Sequence, residues 1–221
     1  MRDPIGLLHG YLSASAARRP DEIALVTADE RLSYAEIDVR SSALALALAH
    51  ALGDALARLR TRVALRRAAE VGHDVSVWGT VWIHGSGRVR VGHGVTFNAR
   101  AAPIELHAGA GSEIRIGPGA RIDGGTSIEA QRSVSIGARA HVGPFCKILD
   151  NNFHRVTDRD ERPASIEVVV EDDADLGPRA ILLPGAHVGR GTILQAGTVL
   201  SRRVPEGVIV AGQPPLIRRA A

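Results

Sequence analysis

The sequence predicts an all-β solenoid, a parallel β-helix that winds around a narrow apolar interior. Three observations predict it. Apolar residues recur every six positions over long stretches, a period that fits neither an α-helix nor simple strand alternation. Small residues follow many of these apolar residues at a distance of four positions. Aromatic residues make up only 3% of the chain, so Val, Ile, Leu and Ala must fill the interior.

The six-residue period gives the geometry of one coil. Six residues suffice for one short strand and one turn, so three such units close a triangular coil of about 18 residues, with strands stacked roughly 4.8 Å apart. The period is unbroken from Val170 to Leu200. The repeated apolar positions are Val71, Val77, Ile83, Val91, Phe97, Ile116, Ile122, Ile128, Ile136, Val142, Ile148, Val170, Leu176, Leu182, Val188, Leu194 and Leu200, and the small positions include Val75, Ala120, Thr126, Ala140, Cys146, Ala174, Ala186 and Thr198.

Two segments interrupt the period. Between Phe97 and Ile116 the coil gains residues, because the apolar-Gly steps that begin at Val91 and Ile116 are 25 residues apart instead of 20. The larger interruption separates Ile148 from Val170 and is polar and charged through its middle. Loops on rigid scaffolds commonly carry function. We therefore predict a protruding functional loop at residues 149–169.

The first 69 residues lack the period and predict a small α/β cap on the open end of the solenoid. Two short strands, Ile23–Val26 and 31–32, flank a turn. Ser33 and Glu36 have the spacing of a capping box, which predicts a helix that starts at Tyr34. We expect this helix to continue to about residue 69, with an interruption at Gly53. The predicted organisation is a cap at 1–69, the β-helix at 70–211 and a C-terminal tail at 212–221.

The composition excludes several classes of protein. A net charge of +3 and few aromatic residues give no basis for nucleic-acid binding. No run approaches the roughly 20 apolar residues of a membrane span, and the N-terminus lacks the features of a secretory signal. We therefore expect a cytoplasmic protein with neither nucleic acid nor membrane as a partner. Cys146 is the single cysteine, which excludes a disulfide or a thiolate zinc cluster within the chain.

Specific motifs lie within residues 70–217. They are ILDNNFH at 148–154 and a C-terminal series at 183–185, 196–199, 204–207 and 211–215. Together with the repeat, they resemble the hexapeptide-repeat acyltransferases, and among these the maltose, galactoside and xenobiotic O-acetyltransferases and their polysaccharide-modifying relatives. The resemblance implies a left-handed coil and a homotrimer that binds acetyl-CoA in the groove between adjacent chains. It also implies direct acyl transfer to a hydroxyl or amine, without an acyl-enzyme.

The resemblance points to His154 as the catalytic base. Asp150, Asn152 and His154 have the spacing of the family's Asp-x-Asp-x-His signature. An imidazole with an ordinary pKa of about 6.5 can accept the proton of an attacking hydroxyl. Asp150, Asn151 and Asn152 are candidates for orienting this ring or holding the acceptor. The alternative is that His154 is a solvent-exposed loop histidine.

The same resemblance suggests residues for acceptor and donor binding. By repeat phase, Asp123 corresponds to a polar acceptor-binding residue of galactoside-type enzymes, although it could be an exposed turn residue. The cofactor's pantetheine arm would lie against the thin wall at Gly177, Ala196 and Gly197. Its phosphates would meet Arg202 and Arg203, since arginine suits phosphate geometry. The alternative for the two arginines is ordinary surface charge.

Two residues depart from the family pattern. Asp175 stands before Leu176–Gly177 where many relatives have Trp, which removes an aromatic wall from the expected site. Pro178 follows Gly177 and has no N–H group. In some relatives the amide at that position helps to hold the thioester oxygen, so here another group or water must do so.

A second resemblance concerns the N-terminal segment. Residues 19–26 (RPDEIALV) and 32–38 (LSYAEID) are similar to the opening of adenylate-forming ligases. The ATP-binding parts of that family are missing downstream, so adenylation activity is not implied. The segment is compatible with a decayed fusion, a docking element or chance similarity. It favours a biosynthetic role in secondary metabolism.

The leading hypothesis is a CoA-dependent O-acyltransferase that transfers acetyl to a hydroxyl of a small or sugar-like acceptor. N-acylation of an amine is one alternative, because the same base could serve. A metal-dependent hydratase of the γ-carbonic anhydrase type is another. It would use His73 and His93, which are one coil apart, with His84 or His107 as third ligand. An inactive trimeric scaffold is the last.

Overall fold

The computed structural model describes residues 6–27, 29–152, 163–212 and 216–219. The chain forms two compact units, residues 1–56 and 57–221. Residues 57–69, which the sequence analysis assigned to the cap, thus belong to the unit that contains the solenoid.

The N-terminal unit contains two helices and a short antiparallel pair of strands. Their bounds are α1 Gly6–Arg18, β1 Ile23–Val26, β2 Arg31–Ser33 and α2 Tyr34–Ala64, the last of which continues into the second unit. The Ser33 N–H donates to Glu36 Oε2 at 2.8 Å, and the Glu36 N–H donates to Ser33 Oγ at 3.3 Å. The predicted strands, capping box and start of α2 are therefore confirmed.

The predicted interruption of α2 is wrong, and so is its predicted end. The helix runs through Gly53 without a break and stops at Ala64. One glycine inside a helix costs only about 1 kcal/mol relative to alanine, so the neighbouring helical residues can sustain it. The sequence analysis also missed α1.

The second unit is a parallel β-solenoid with three faces. Face 1 stacks β3, β5, β7, β10, β13, β16 and β19. The long strands β4 and β6 span two faces. Face 2 contains their first halves, followed by β8, β11, β14, β17 and β20. Face 3 contains the second halves of β4 and β6, followed by β9, β12, β15 and β18. A last strand, β21, pairs antiparallel with β20 within the predicted tail. The bounds are β3 Glu70–Val71, β4 Ser76–His84, β5 Arg88–Val91, β6 Thr96–Ala108, β7 Glu113–Ile116, β8 Arg121–Asp123, β9 Ser127–Ala130, β10 Ser133–Ile136, β11 His141–Val142, β12 Lys147–Leu149, β13 Val168–Val170, β14 Asp175–Leu176, β15 Ile181–Leu182, β16 His187–Val188, β17 Ile193–Leu194, β18 Val199–Leu200, β19 Arg203–Val204, β20 Val208–Ala211 and β21 Leu216–Arg219.

The apolar interior follows the six-residue period. All six predicted positions from Val170 to Leu200 are buried, and so are the small residues at the corners, such as Ala120 and Ala174. The corners admit only small side chains because the coil is so narrow. Val71 is the exception in the first coil, with 41% of its surface exposed. The predicted all-β solenoid is confirmed.

The end of α2 and the turn after it close the first coil. Leu65 is buried in the same core as the strands. Thr61 Oγ1 donates to the Val75 carbonyl at 3.4 Å, and the Ala69 N–H donates to the Val89 carbonyl at 2.8 Å. Residues in the range 57–69 therefore cover apolar surface that the first coil would otherwise expose.

Both predicted interruptions lie at corners. The smaller one adds residues 100–103 between the halves of β6, where Gly79 pairs with Ala99 but Val81 pairs with Ile104. The larger one leaves the solenoid after β12 and returns at β13. None of the helices in the described ranges combines the length and hydropathy needed to cross a lipid bilayer.

Candidate active site

The candidate residues lie at two different corners of the solenoid. We call the turns that join faces 2 and 3 the 2–3 corner, and the turns that join faces 3 and 1 the 3–1 corner. The 2–3 corner holds Asp123, at the end of β8, together with Gly177, Ala196 and Gly197 in stacked turns. The 3–1 corner holds Asp150, Asn151, Asn152 and Arg202, with Arg203 beginning the next strand. His154 lies outside the described residues.

Asp123 is an almost buried carboxylate held by three side chains. Only 9% of its surface is exposed. Asn98 Nδ2 and Arg121 Nε donate to its Oδ1 at 3.2 and 3.0 Å, and His141 Nε2 lies 3.0 Å from its Oδ2. Burial alone would raise the pKa of Asp123, but these hydrogen bonds outweigh it and lower the pKa below its ordinary value. Asp123 is therefore an ordered, ionised group and not an exposed turn residue.

His141 links Asp123 to a second carboxylate. Its Nδ1 lies 3.1 Å from Asp175 Oδ1. The register explains the contact, because His141 is paired with Arg121 on one side and with Asp175 on the other. The sequence analysis did not select His141. The available signal was a polar residue directly before the buried apolar position in three stacked face 2 strands.

The stacked turns above these residues place Gly177, Ala196 and Gly197 at this corner, beside the exposed Pro178 and Arg179. A Cβ added at Gly177 would lie 2.7 Å from the Leu194 carbonyl oxygen and 2.8 Å from the Ala196 nitrogen, so packing alone requires glycine there. The Gly197 N–H donates to the Pro178 carbonyl at 2.9 Å, which joins successive turns. Ala196 and Gly197 are exposed. A thin ligand arm could therefore approach the backbone along this corner.

Cys146 lies inside the same corner and is not suited to nucleophilic chemistry. It is completely buried, and its Sγ donates to the Gly177 carbonyl at 3.3 Å. Burial raises the pKa of the thiol to about 11, although backbone hydrogen bonds at Ala180 and Arg179 oppose this rise. Because the thiolate is the nucleophilic form, Cys146 stays inert at neutral pH.

Asp150 fixes the start of the protruding loop at the 3–1 corner. Its side chain is completely buried. The backbone N–H of Gln131 donates to Oδ1 at 2.8 Å, and those of Arg132 and Ser133 donate to Oδ2 at 2.7 Å each. The Asn151 side chain adds a donor to Oδ1 at 3.3 Å. The Asp150 carboxylate is therefore already bound by backbone N–H groups of the preceding coil. Of Asp150, Asn151 and Asn152, only Asn152 is exposed.

Glu129 is a second group that the sequence analysis missed. It lies on face 3 beside the loop, and its carbonyl accepts the Asp150 N–H at 3.3 Å. Burial raises the pKa of Glu129, and the neighbouring Asp150 charge adds to the rise, although His107 opposes it. Its only sequence signal was an outward position next to the buried Ile128 in β9.

The two candidate phosphate-binding arginines are exposed at the other side of face 3. Arg203 Nη2 lies 4.0 Å from Glu171 Oε1. Glu171 also contacts His187 Nε2 at 2.6 Å, and this hydrogen bond is the main cause that lowers the pKa of Glu171. Within one chain, the width of face 3 separates Arg202 and Arg203 from Gly177.

The histidines considered for a metal site form two separate groups. The His73 and His93 rings stack with centroids 5.0 Å apart. His84 pairs with His107 on face 3 instead. In the part of the chain that the structure describes, no three His, Cys, Asp or Glu side chains form a group that could hold a metal ion.

Sequence comparison matches part of the chain to known enzymes. No family model matches the chain. It is 41% identical over 61 residues to 2,3,4,5-tetrahydropyridine-2,6-dicarboxylate N-acetyltransferase from Staphylococcus aureus strain Newman, a match that covers 28% of this chain and 26% of that enzyme. The enzyme from strain JH9 matches over the same length with 39% identity. The matched part thus spans about a quarter of these curated relatives.

Structural comparison finds several acyltransferases. A hexapeptide-repeat-containing acetyltransferase of Vibrio cholerae O1 biovar eltor, complexed with acetyl coenzyme A, has a TM-score of 0.54 and 20% identity, covering 74% of this chain and 76% of that one. The polysialic acid O-acetyltransferase OatWY has a TM-score of 0.55 and 17% identity, covering 68% and 81%. A variant of AntD, an N-acyltransferase from Bacillus cereus, has a TM-score of 0.51 and 12% identity, covering 74% and 88%. The chain therefore has the left-handed β-helix fold that these hexapeptide-repeat acyltransferases share.

Proposed function

We propose that the protein is an acyltransferase that moves an acetyl group from acetyl-CoA to a hydroxyl of a small or sugar-like acceptor. One observation carries the proposal. The ionised Asp123 lies at the same corner as the small, exposed residues Ala196 and Gly197, and His141 and Asp175 connect Asp123 to the strand that precedes Gly177. This corner offers polar groups for an acceptor beside open backbone for a thin donor arm. The fold is shared with an acetyltransferase complexed with acetyl coenzyme A and with OatWY.

In this proposal the donor and acceptor meet at the 2–3 corner. The pantetheine arm lies along Gly177, Ala196 and Gly197, the last two of which are exposed and have a methyl group or no side chain. Asp123 holds the acceptor hydroxyl. Arg202 and Arg203 bind the phosphates of a CoA that lies mainly on a neighbouring chain, since the width of face 3 separates them from the Gly177 turn of their own chain.

The reaction is a direct transfer. His154 accepts the proton of the acceptor hydroxyl as the hydroxyl oxygen attacks the thioester carbonyl carbon. The tetrahedral intermediate then collapses, the carbon–sulfur bond breaks, and the CoA sulfur leaves with the proton from the imidazolium. Pro178 has no N–H to offer the oxyanion, so a different donor must stabilise it. Cys146 is buried and protonated, which agrees with a mechanism that needs no acyl-enzyme.

We also propose a homotrimer with sites between chains. The loop that contains His154 leaves at the 3–1 corner, whereas Asp123 lies at the 2–3 corner of the preceding coil. The width of face 3 separates these corners within a chain, so a site shared by two chains brings them together most simply. The solenoid also exposes Phe145, Ile166 and Ile193, which is apolar surface that an interface would cover.

An amine acceptor is the second candidate. The curated relatives are N-acetyltransferases, and AntD is an N-acyltransferase. A base that accepts a proton from a hydroxyl can also accept one from an attacking amine. Paired acceptors that differ only in one group, such as glucose and glucosamine, separate the two functions. Mass spectrometry of the product shows whether oxygen or nitrogen carries the acetyl group.

Thiol release from acetyl-CoA across a panel of sugars and amino sugars tests the proposed function. We expect acceptor-dependent release by the wild-type protein and a loss of about 100-fold in turnover for His154→Ala, with unchanged acetyl-CoA affinity. His84→Ala is the matched control, because His84 is an exposed histidine of the first coil, and it should behave as wild type. Equal turnover in both variants would reject His154 as the base. Absence of release with every acceptor would favour a scaffold.

A further inference from the structure

We propose that His141 and Asp175 are part of the acceptor site, where the imidazole bridge orients two carboxylates to bind a polyhydroxylated acceptor. This assignment depends on the acyltransferase activity proposed above and names its substrate class. The observation behind it is the chain of side chains Asp123, His141 and Asp175, which runs up face 2 and ends next to Leu176–Gly177.

The hydrogen-bonding capacity of Asp123 leaves one position for a ligand. Each carboxylate oxygen can accept two hydrogen bonds. Oδ1 already accepts from Asn98 and Arg121. Oδ2 contacts only His141 among the described residues. A hydroxyl can therefore donate to Oδ2 without displacing an existing partner, and the three bonds hold this oxygen in place.

Asp175 provides a second acceptor oxygen closer to the donor turn. Its side chain is 51% exposed. Oδ1 contacts His141 Nδ1, whereas Oδ2 has no hydrogen-bond partner within the described ranges. Strands in a sheet are about 4.8 Å apart, so Asp123 and Asp175, with one strand between them, present their oxygens to two different groups of one extended molecule. A sugar can reach both oxygens, but a molecule with a single hydroxyl can reach only one.

The charges of this cluster disfavour an anionic acceptor. Asp123 and Asp175 both present carboxylate oxygens, and Arg121, which contacts Asp123 at 3.0 Å, is already paired with one of these carboxylates. A carboxylate or phosphate group of a ligand would be repelled beside them. Hydrogen bonding to hydroxyls is the interaction that the carboxylate oxygens offer.

Steady-state kinetics with methyl glucoside and cyclohexanol tests this assignment, because the two acceptors share a six-membered ring but only the first carries several hydroxyls. In Asp175→Asn, the amide oxygen can keep the contact that Oδ1 makes with His141, while an NH2 donor replaces the acceptor oxygen Oδ2. We expect the KM for methyl glucoside to rise about tenfold, the effect of one lost hydrogen bond. The kcat and the KM values for cyclohexanol and acetyl-CoA should stay unchanged.

Two further variants separate a positioning role from a structural one. His141→Leu removes both donors and should raise the KM for methyl glucoside more than Asp175→Asn does, whereas His141→Gln, which retains an N–H donor, should restore part of the loss. Asp173→Asn is the matched control. Asp173 pairs with Arg139 instead of His141, so this change should leave the kinetics unchanged.

The outcomes distinguish this assignment from the proposed function. If the wild-type protein releases thiol with neither acceptor class, the acyltransferase proposal itself fails. If the wild-type protein is active but Asp175→Asn and His141→Leu leave both acceptor KM values unchanged, or raise them equally, the acceptor-site assignment is overturned. Circular dichroism and acetyl-CoA binding confirm that each variant is folded.

Discussion

Replacing Asp150 with Ala should destabilise the protein far more than any other change at the start of the protruding loop. The Asp150 carboxylate is completely buried and accepts the backbone N–H groups of Gln131, Arg132 and Ser133. Alanine leaves these three donors without their acceptor. No other change nearby removes so many hydrogen bonds at once, so the effect should be measurable even against a stable solenoid.

The magnitude follows from the three donors. An N–H that loses its partner away from water costs about 1–3 kcal/mol, so about 9 kcal/mol is the upper bound for the three donors. Gln131 and Arg132 are themselves exposed residues, so the actual loss is smaller. Water that enters the space left by the carboxylate will satisfy some of them. We therefore expect a loss of about 3–5 kcal/mol in the free energy of unfolding.

Urea denaturation at a fixed protein concentration measures this loss, because the stability of an oligomer depends on concentration. Asp150→Asn keeps one acceptor oxygen and should lose less than Asp150→Ala. Asn152→Ala changes an exposed residue of the same loop and should stay within about 0.5 kcal/mol of wild type. If Asp150→Ala were as stable as Asn152→Ala, the reasoning about these backbone donors would be refuted.

Three further predictions concern the buried thiol, the residues before the first strand of the solenoid, and the dependence of stability on pH. Because burial raises the pKa of Cys146 to about 11, iodoacetamide should label this thiol only after unfolding, as mass spectrometry will show; rapid labelling of the folded protein would contradict its burial. Deleting residues 1–56 should leave a folded solenoid, whereas deleting 1–69 removes Leu65 from the core and should cause aggregation; equal solubility in light scattering would contradict the capping role of 57–69. The pKa of Asp123 is lowered from its ordinary 3.8, so its ionised form stabilises the folded state above that pH and the contribution disappears as pH falls through the folded pKa. Asp123→Asn should therefore show a smaller fall in urea midpoint between about pH 6 and pH 3 than wild type, and identical slopes would refute the linkage.

The fold was predictable because the six-residue period is a direct consequence of coil geometry. When one strand and one turn together take six residues, every sixth residue faces the interior. Ile122 and Leu176 are therefore buried, independently of the loops and ligands on the outer surface. The capping box at Ser33 was equally local, since the four residues 33–36 contain the whole signal. Helix α1 was missed because its apolar pairs at i,i+4, Leu7–Tyr11 and Leu8–Leu12, cover little more than one turn, and Gly10 lies between them.

The contacts of the candidate site were harder to predict because they join distant parts of the chain. His141 and Asp175 are 34 residues apart. The loop between them interrupts the six-residue period, so the register that pairs their strands could not be read from the spacing. The partners of Asp150 are backbone N–H groups, which leave no signature in the sequence. Glu129 likewise acquires its raised pKa from burial and from Asp150, and neither effect can be read from the residues around it.

A mixed-oligomer experiment tests most directly the central claim that Asp123 and His154 from neighbouring chains form one acetyl-transfer site. With the acceptor well below its KM, Asp123→Ala, which weakens acceptor binding, and His154→Ala, which removes the base, should each lose most of the acceptor-dependent thiol release from acetyl-CoA. The two variants are unfolded together in equal amounts and refolded. Half of the chains that supply residue 123 to a site then carry Asp123, and half of the chains that supply residue 154 carry His154. About one quarter of the sites should therefore contain both wild-type residues. The account predicts that the mixture recovers about one quarter of wild-type activity, and a mixture as inactive as its separately refolded components would contradict it.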